Sequence, residues 1–306
     1  MCDQQNLIFR QLFESESCTY TYLLGCPKTK KAVIIDPVLE TVERDAKLIK
    51  ELGLDLVYGL NTHVHADHVT GTGQLKKHFP QMKSVLSAAC GDAHADLHVQ
   101  NNDLLVFGEE NLQVRSTPGH TNGFLSAACG DALADLHVQN NDLIVFGEEN
   151  LQVRSTPGHT NGCLSYVHHG SRKVFTGDAL LIRGCGRTDF QEGCAKKLYN
   201  SIHSQIFTLP DDYLIYPGHD YTGRTVTSVA EEKKYNPRLT MNEENFTDFM
   251  KNLKLNYPKQ IERSIPANKL CGIFENMDEK LKHIVGVNFH VEHNNVYHCQ
   301  QNSSLN

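Results

Sequence analysis

The chain has 306 residues, 40% of them hydrophobic, which is enough to bury a sizeable core. Its formal net charge of −7 is spread without a basic block, which argues against a nucleic-acid-binding surface and against attraction to an anionic membrane. No apolar run approaches the ~18 residues of a membrane-spanning helix, and ten cysteines without a C-x-x-C pair point to reduced thiols rather than a disulfide framework. Residues 1–13 show neither an apolar signal core nor the Arg/Ser-rich pattern of a mitochondrial transit peptide.

Apolar runs at residues 7–13, 19–24 and 32–35 predict strands, the third closed by Asp36-Pro37. Helical spacing follows over 40–52 and stops at Gly53. Residues 56–60 read as a buried strand, and directly after them stands Thr62-His63-Val64-His65-Ala66-Asp67-His68. Imidazoles and a carboxylate in a loop beyond a strand end are the ligands of a catalytic transition metal. A helix is predicted over 67–78.

A tandem repeat then interrupts the order. Residues 86–124 and 125–163 are near-identical, differing only at His94/Leu133, Leu105/Ile144 and Phe124/Cys163. Two copies are fewer than a stacked array needs, so one copy is expected to be an insertion in a fold that uses one. Strands are predicted at 173–175 and 213–216, with helices over 195–207, 224–234 and 242–253. The domain is placed at 1–272, and the polar, histidine-containing stretch 273–306 reads as a disordered tail.

Three later loops carry further ligand types just past apolar segments: Pro157-Gly158-His159, Gly177-Asp178 and Gly218-His219-Asp220. Glycine beside each lets the backbone approach a metal closely. Alternating strands and helices with ligands at strand ends predict an α/β protein with a metal site on one edge.

These motifs resemble the metallo-β-lactamase superfamily. The run Arg183-Gly184-Cys185-Gly186-Arg187-Thr188-Asp189-Phe190-Gln191, with NTHVHADHVTGTG from Asn61 and IYPGHDYTG from Ile215, is similar to the persulfide dioxygenase (ethylmalonic-encephalopathy protein) family. The resemblance implies an α/β fold of αβ/βα sandwich type, two mixed sheets with helices outside. It implies one non-haem Fe(II) per chain and oxidation of glutathione persulfide by O2 to sulfite and glutathione, in hydrogen sulfide catabolism. Carried onto this chain, it makes His65, His159 and Asp178 the catalytic iron ligands, a facial triad with open positions. His63, Asp67, His68 and His219 then orient those ligands or hold a second metal. Arg187 and Tyr221 are the candidates for orienting substrate, with an ion pair to Asp189 as the structural alternative for Arg187. A homodimer and the mitochondrial matrix are also implied, the cytoplasm being the alternative compartment.

The repeat leaves a choice of histidine. His120 has a family-like distance from His65, whereas His159 has one from Asp178 and leads through Cys163-Leu164-Ser165 into the strand before it. His159 is preferred and His120 is the alternative. Two other functions stay open. One is a zinc-dependent glutathione-thioester hydrolase of glyoxalase II type, whose branch carries histidine where this chain has Val64. The other is an inactive homologue disabled by the duplication.

Overall fold

A computed structural model of the chain describes residues 7–87, 104–107, 110–113 and 136–286. Its first sheet runs β1 (Ile8–Glu14), β2 (Thr19–Gly25), β3 (Lys31–Ile35), β4 (Asp55–Leu60), β5 (Lys83–Ser87) and β8 (Leu136–Val138) side by side. The first three strands are antiparallel, and β3 to β8 are parallel. The second sheet is β9 (Leu143–Phe146), β10 (Glu149–Ser155), β11 (Leu164–His168), β12 (Lys173–Gly177), β13 (Leu214–Pro217) and β14 (Thr227–Ser228). Only its β12–β13 pair is parallel.

Period-two alternation explains the layering. Leu24, Val33, Ile35 and Leu60 point inward and meet Phe146, Leu151, Val153 and Phe175 from the other sheet. The intervening Leu23, Ile34 and Leu56 face outward under α1 (Val42–Glu51) and α2 (Thr72–His78). Val167, Val174 and Ile215 likewise lie under α3 (Ala195–Ser201) and α5 (Glu243–Lys251), which contribute Leu198 and Phe246. Strands buried on both faces are why β2 and β3 read as continuous apolar runs. The result is the helix–sheet–sheet–helix sandwich expected from the sequence.

The two repeat copies are used differently. The second copy supplies β8, β9 and β10 to the main sheets. In the first copy, β6 (Leu104–Phe107) and β7 (Glu110–Gln113) pair with one another and, among the described residues, with no other strand. The alternative ligand His120 lies outside the described residues.

Several boundaries differ from expectation. The helix expected over 67–78 begins only at Thr72, because residues before it give their backbone groups to tertiary partners. The helix expected over 195–207 is α-helical to Ser201 and continues as a π-helical stretch, Ile202–Ile206. That expected over 224–234 starts at Val229, where Ser228 and Glu231 form a reciprocal cap for α4 (Val229–Tyr235). A helix not expected, α6 (Ile261–Lys269), contains Pro266, a residue that argues against helix in sequence reading.

The tail needs the largest correction. Residues 274–286 are folded: α7 (Glu279–Val285) is capped by Asp278, and Phe274, Met277 and Val285 pack on Val69 and Ala267. Residues 287–306 lie outside the described residues. Met277→Ala is expected to destabilise by about 2 kcal/mol, at the low end for a buried methionine. Urea unfolding checks this, and an unchanged midpoint would mean that the segment does not dock.

Candidate metal centre

Each ligand candidate among the described residues sits past the C-terminal end of a strand with a parallel neighbour, β4, β12 or β13, or in the β10–β11 turn. Backbone bonds stitch these ends together across the sheets: Leu164 N donates to Thr62 O at 2.8 Å, and Tyr20 N to Gly218 O at 2.8 Å. Gly218 N donates to Gly177 O at 2.9 Å, holding the Asp178 and His219 loops side by side. The strand ends of an α/β sandwich thereby become one polar edge.

His63, His159 and Asp178 converge there, with one potential ligand atom from each lying within 4.8 Å of the others. The Thr62 hydroxyl donates to Asp36 at 2.8 Å, so the His63 Nδ1–H donates to that hydroxyl at 3.0 Å and Nε2 keeps its lone pair. His159 donates Nδ1–H to the Arg187 carbonyl at 2.6 Å, which likewise bares Nε2, 3.6 Å from Asp178 Oδ2. Asp178 Oδ1 accepts from His219 Nδ1 at 2.6 Å. Each converging group therefore has an outer partner that fixes its orientation, as metal ligands do. Burial, then crowding by His65 and His159, holds His63 well below the usual imidazole range, so it is neutral. Burial opposes ionisation of Asp178, but the His219 ring, its hydrogen bond, and His159 outweigh it and keep the carboxyl low.

His65, expected in the triad, faces elsewhere. Its Nε2 is 3.0 Å from Asp36 Oδ1, and it groups with Asp67 and His68. In the sequence Asp36 marks the end of a strand. Its signal was available: it is another acid directly after a buried apolar run. His65 Nδ1 and His68 Nε2 are buried without a partner. Leaving such an atom unsatisfied costs about 1–3 kcal/mol, so a ligand is the natural complement. His219 spends both nitrogens on carboxylates, Nδ1 on Asp178 and Nε2 on Asp67 at 2.8 Å. Burial disfavours its charge, yet Asp178 and Asp67 raise it well above the ordinary histidine range.

The Arg187 guanidinium is committed within the chain: Nε and Nη2 donate to Asp189 at 2.7 Å each, and Nη1 to Asn256 O at 2.8 Å. It lies over the Phe190 ring, 4.6 Å from its centroid. Contact with a substrate carboxylate requires that pair to open, whereas the Arg187 carbonyl already serves the site. Tyr221 is 70% exposed and lies parallel to the His219 ring at 6.1 Å, in reach of anything entering from solvent.

Two glycines are required by close approach. A Cβ on Gly158 would fall 2.2 Å from Leu198 N, and φ there is +138°. One on Gly186 would fall 2.8 Å from the His159 ring and 2.4 Å from Asp178 O. Gly186→Ala is expected to tilt His159 and weaken metal binding by about 10–100-fold, the cost of disturbing a ligand's support. Chelator competition reads this, and wild-type affinity would show that the ring has room to shift.

A sandwich of this layering with paired histidine and carboxylate clusters at one edge is a metal-dependent fold of the metallo-β-lactamase class. The profile of the Metallo-beta-lactamase superfamily matches residues 19–219. Persulfide dioxygenase ETHE1 of Mus musculus and its Homo sapiens counterpart, both mitochondrial, are each 49% identical over 87% of this chain and 89% of their own length. The crystal structure of ETHE1 from Myxococcus xanthus superposes with a TM-score of 0.71 at 45% identity, covering 87% of this chain and 99% of that one. The chain belongs to the ETHE1 persulfide dioxygenase family within that superfamily.

Proposed function

We propose that the chain is a sulfur dioxygenase that converts glutathione persulfide, O2 and water into glutathione, sulfite and two protons. The observation that carries this is the His63–His159–Asp178 donor set in a chain 49% identical to persulfide dioxygenases. Two imidazoles and one carboxylate are the donors that suit non-haem iron. We assign His63, His159 and Asp178 as its ligands, with His65 an outer neighbour held by Asp36.

When bound, Fe(II) supplies a soft site for the persulfide sulfur and the reducing power that activates O2. The chain's own residues do the rest. His219 holds Asp178 by one carboxylate oxygen and leaves the other to face His159. Arg187, through its carbonyl, and Thr62, through its hydroxyl, fix the two imidazole rings. Tyr221 stands at the solvent side, where the glutathionyl portion enters. The fold works with the second repeat copy and carries the first as an insertion. The reading extends to a homodimer in the mitochondrial matrix, on the family resemblance and the two mitochondrial relatives.

One observation favours a second reading. His65, Asp67 and His68 form another cluster, with unpartnered His65 Nδ1 and His68 Nε2, and a second metal there suits a zinc-dependent glutathione-thioester hydrolase. Assaying the iron-loaded and zinc-loaded chain on glutathione persulfide and on a glutathione thioester separates the two. Sulfite from the iron form supports the dioxygenase, and thioester cleavage by the zinc form alone overturns it.

A further inference from the structure

The C-terminal helices hydrogen-bond to the metal loop through the Asn268 side chain. Asn268 of α6 is 5% exposed and gives its whole amide to that loop. Its Nδ2 donates to the carbonyls of His65 and His68, both at 2.8 Å, and its Oδ1 accepts from Thr70 N at 2.7 Å. These three backbone groups flank Asp67 in a stretch that becomes helical only at Thr72, so the loop has no regular ladder of its own to satisfy them.

The surroundings leave this contact little freedom. The Thr70 hydroxyl donates to Asn61 Oδ1 at 2.8 Å, and Asn61 Nδ2 donates to Thr72 Oγ1 at 3.2 Å. The segment after α6 presses directly on α2: a Cβ on Gly73 would fall 2.6 Å from Gly272 C and O. Ile265, one turn before Asn268, packs on Val64 and Leu86. Residues 261–286 thus form a brace over the loop that projects His63, His65, Asp67 and His68.

We propose that Asn268 is a positioning residue of the metal centre. It sets the backbone from which the loop's imidazoles and carboxylate project. It is not a ligand, because both ends of its amide are already occupied. The inference rests on the reading of His63, His159 and Asp178 as a metal site. Losing the amide frees two buried carbonyls and one N–H, and the loop must shift to satisfy them.

The test uses the full chain and Co(II) alone, measuring metal affinity by chelator competition, the Co(II) absorption bands, and the melting temperature of the metal-free form. Asn268→Leu is expected to weaken affinity by about 10–100-fold and to shift the bands. Met277→Ala loosens the same brace without touching the loop carbonyls, and is expected to lower the melting temperature with affinity and bands unchanged. Wild-type affinity and bands in Asn268→Leu would overturn the proposal. Equal affinity loss in Met277→Ala would also overturn it, since the role would then be general packing. Should Asn268→Leu not fold, Asn268→Asp carries the test. It keeps the Thr70 bond but turns a carboxylate on two carbonyls, so the same affinity loss is expected and unchanged affinity overturns the proposal. A wild-type chain that takes up no Co(II) would overturn the metal-centre reading itself, and this inference with it.

Discussion

His159→Ala is expected to give a folded chain that retains no iron and consumes no O2 with glutathione persulfide, whereas His120→Ala keeps both. The two histidines occupy equivalent places in the repeat, and sequence distance alone favours each in turn. We prefer His159 on the packing around it. The His159 loop closes the β10–β11 hairpin through Thr156 N to Cys163 O at 2.9 Å and Gly158 N to Thr160 O at 2.9 Å. Cys163 is 2% exposed, and its sulfur accepts from Thr160 N at 3.3 Å. The first copy has Phe124 at that place, a ring far larger than the thiol the seat accommodates. Cys163→Phe is therefore expected to weaken iron binding as well. Metal content after anaerobic loading reads all three variants. Loss of iron in His120→Ala with retention in His159→Ala would reverse the assignment.

The second large effect separates two neighbours in the motif. His63→Ala removes a donor of the converging set, and iron affinity should fall by more than the roughly 10–100-fold that losing an outer hydrogen bond costs. His65→Ala should stay within that outer-neighbour range, because His65 turns its Nε2 to Asp36 rather than to His159 and Asp178. Chelator titration of both variants checks the order. The reverse order would return His65 to the triad and His63 to a supporting role.

Much of this was legible in the sequence, for identifiable reasons. Strands buried on both faces announce themselves as apolar runs, so β2, β3, β4 and β13 were readable, and with them the loops that follow. His159 and Asp178 stand out as candidates because each stands beside a glycine just past such a run. The choice between His63 and His65 was not legible. They are two residues apart in an irregular loop, and their orientations are set by Thr62, Asp36 and Asn268. Asp36 is 29 residues from His65 and Asn268 is 203, so no local pattern reports either contact. The folded 274–286 segment was missed for a related reason. Its few apolar residues are scattered among charges and read as a tail until Val69 and Ala267 supply the other half of their cluster. Helix α2 was drawn too long because the stretch before it carries helical spacing while its backbone groups are claimed by Asn268.

The most direct test of the central claim is O2 uptake by the anaerobically iron-loaded chain on adding glutathione persulfide, with sulfite and bound iron measured on the same sample. One O2 consumed and one sulfite released per persulfide are expected, at close to one iron per chain. Iron bound at that level with neither O2 uptake nor sulfite would contradict it.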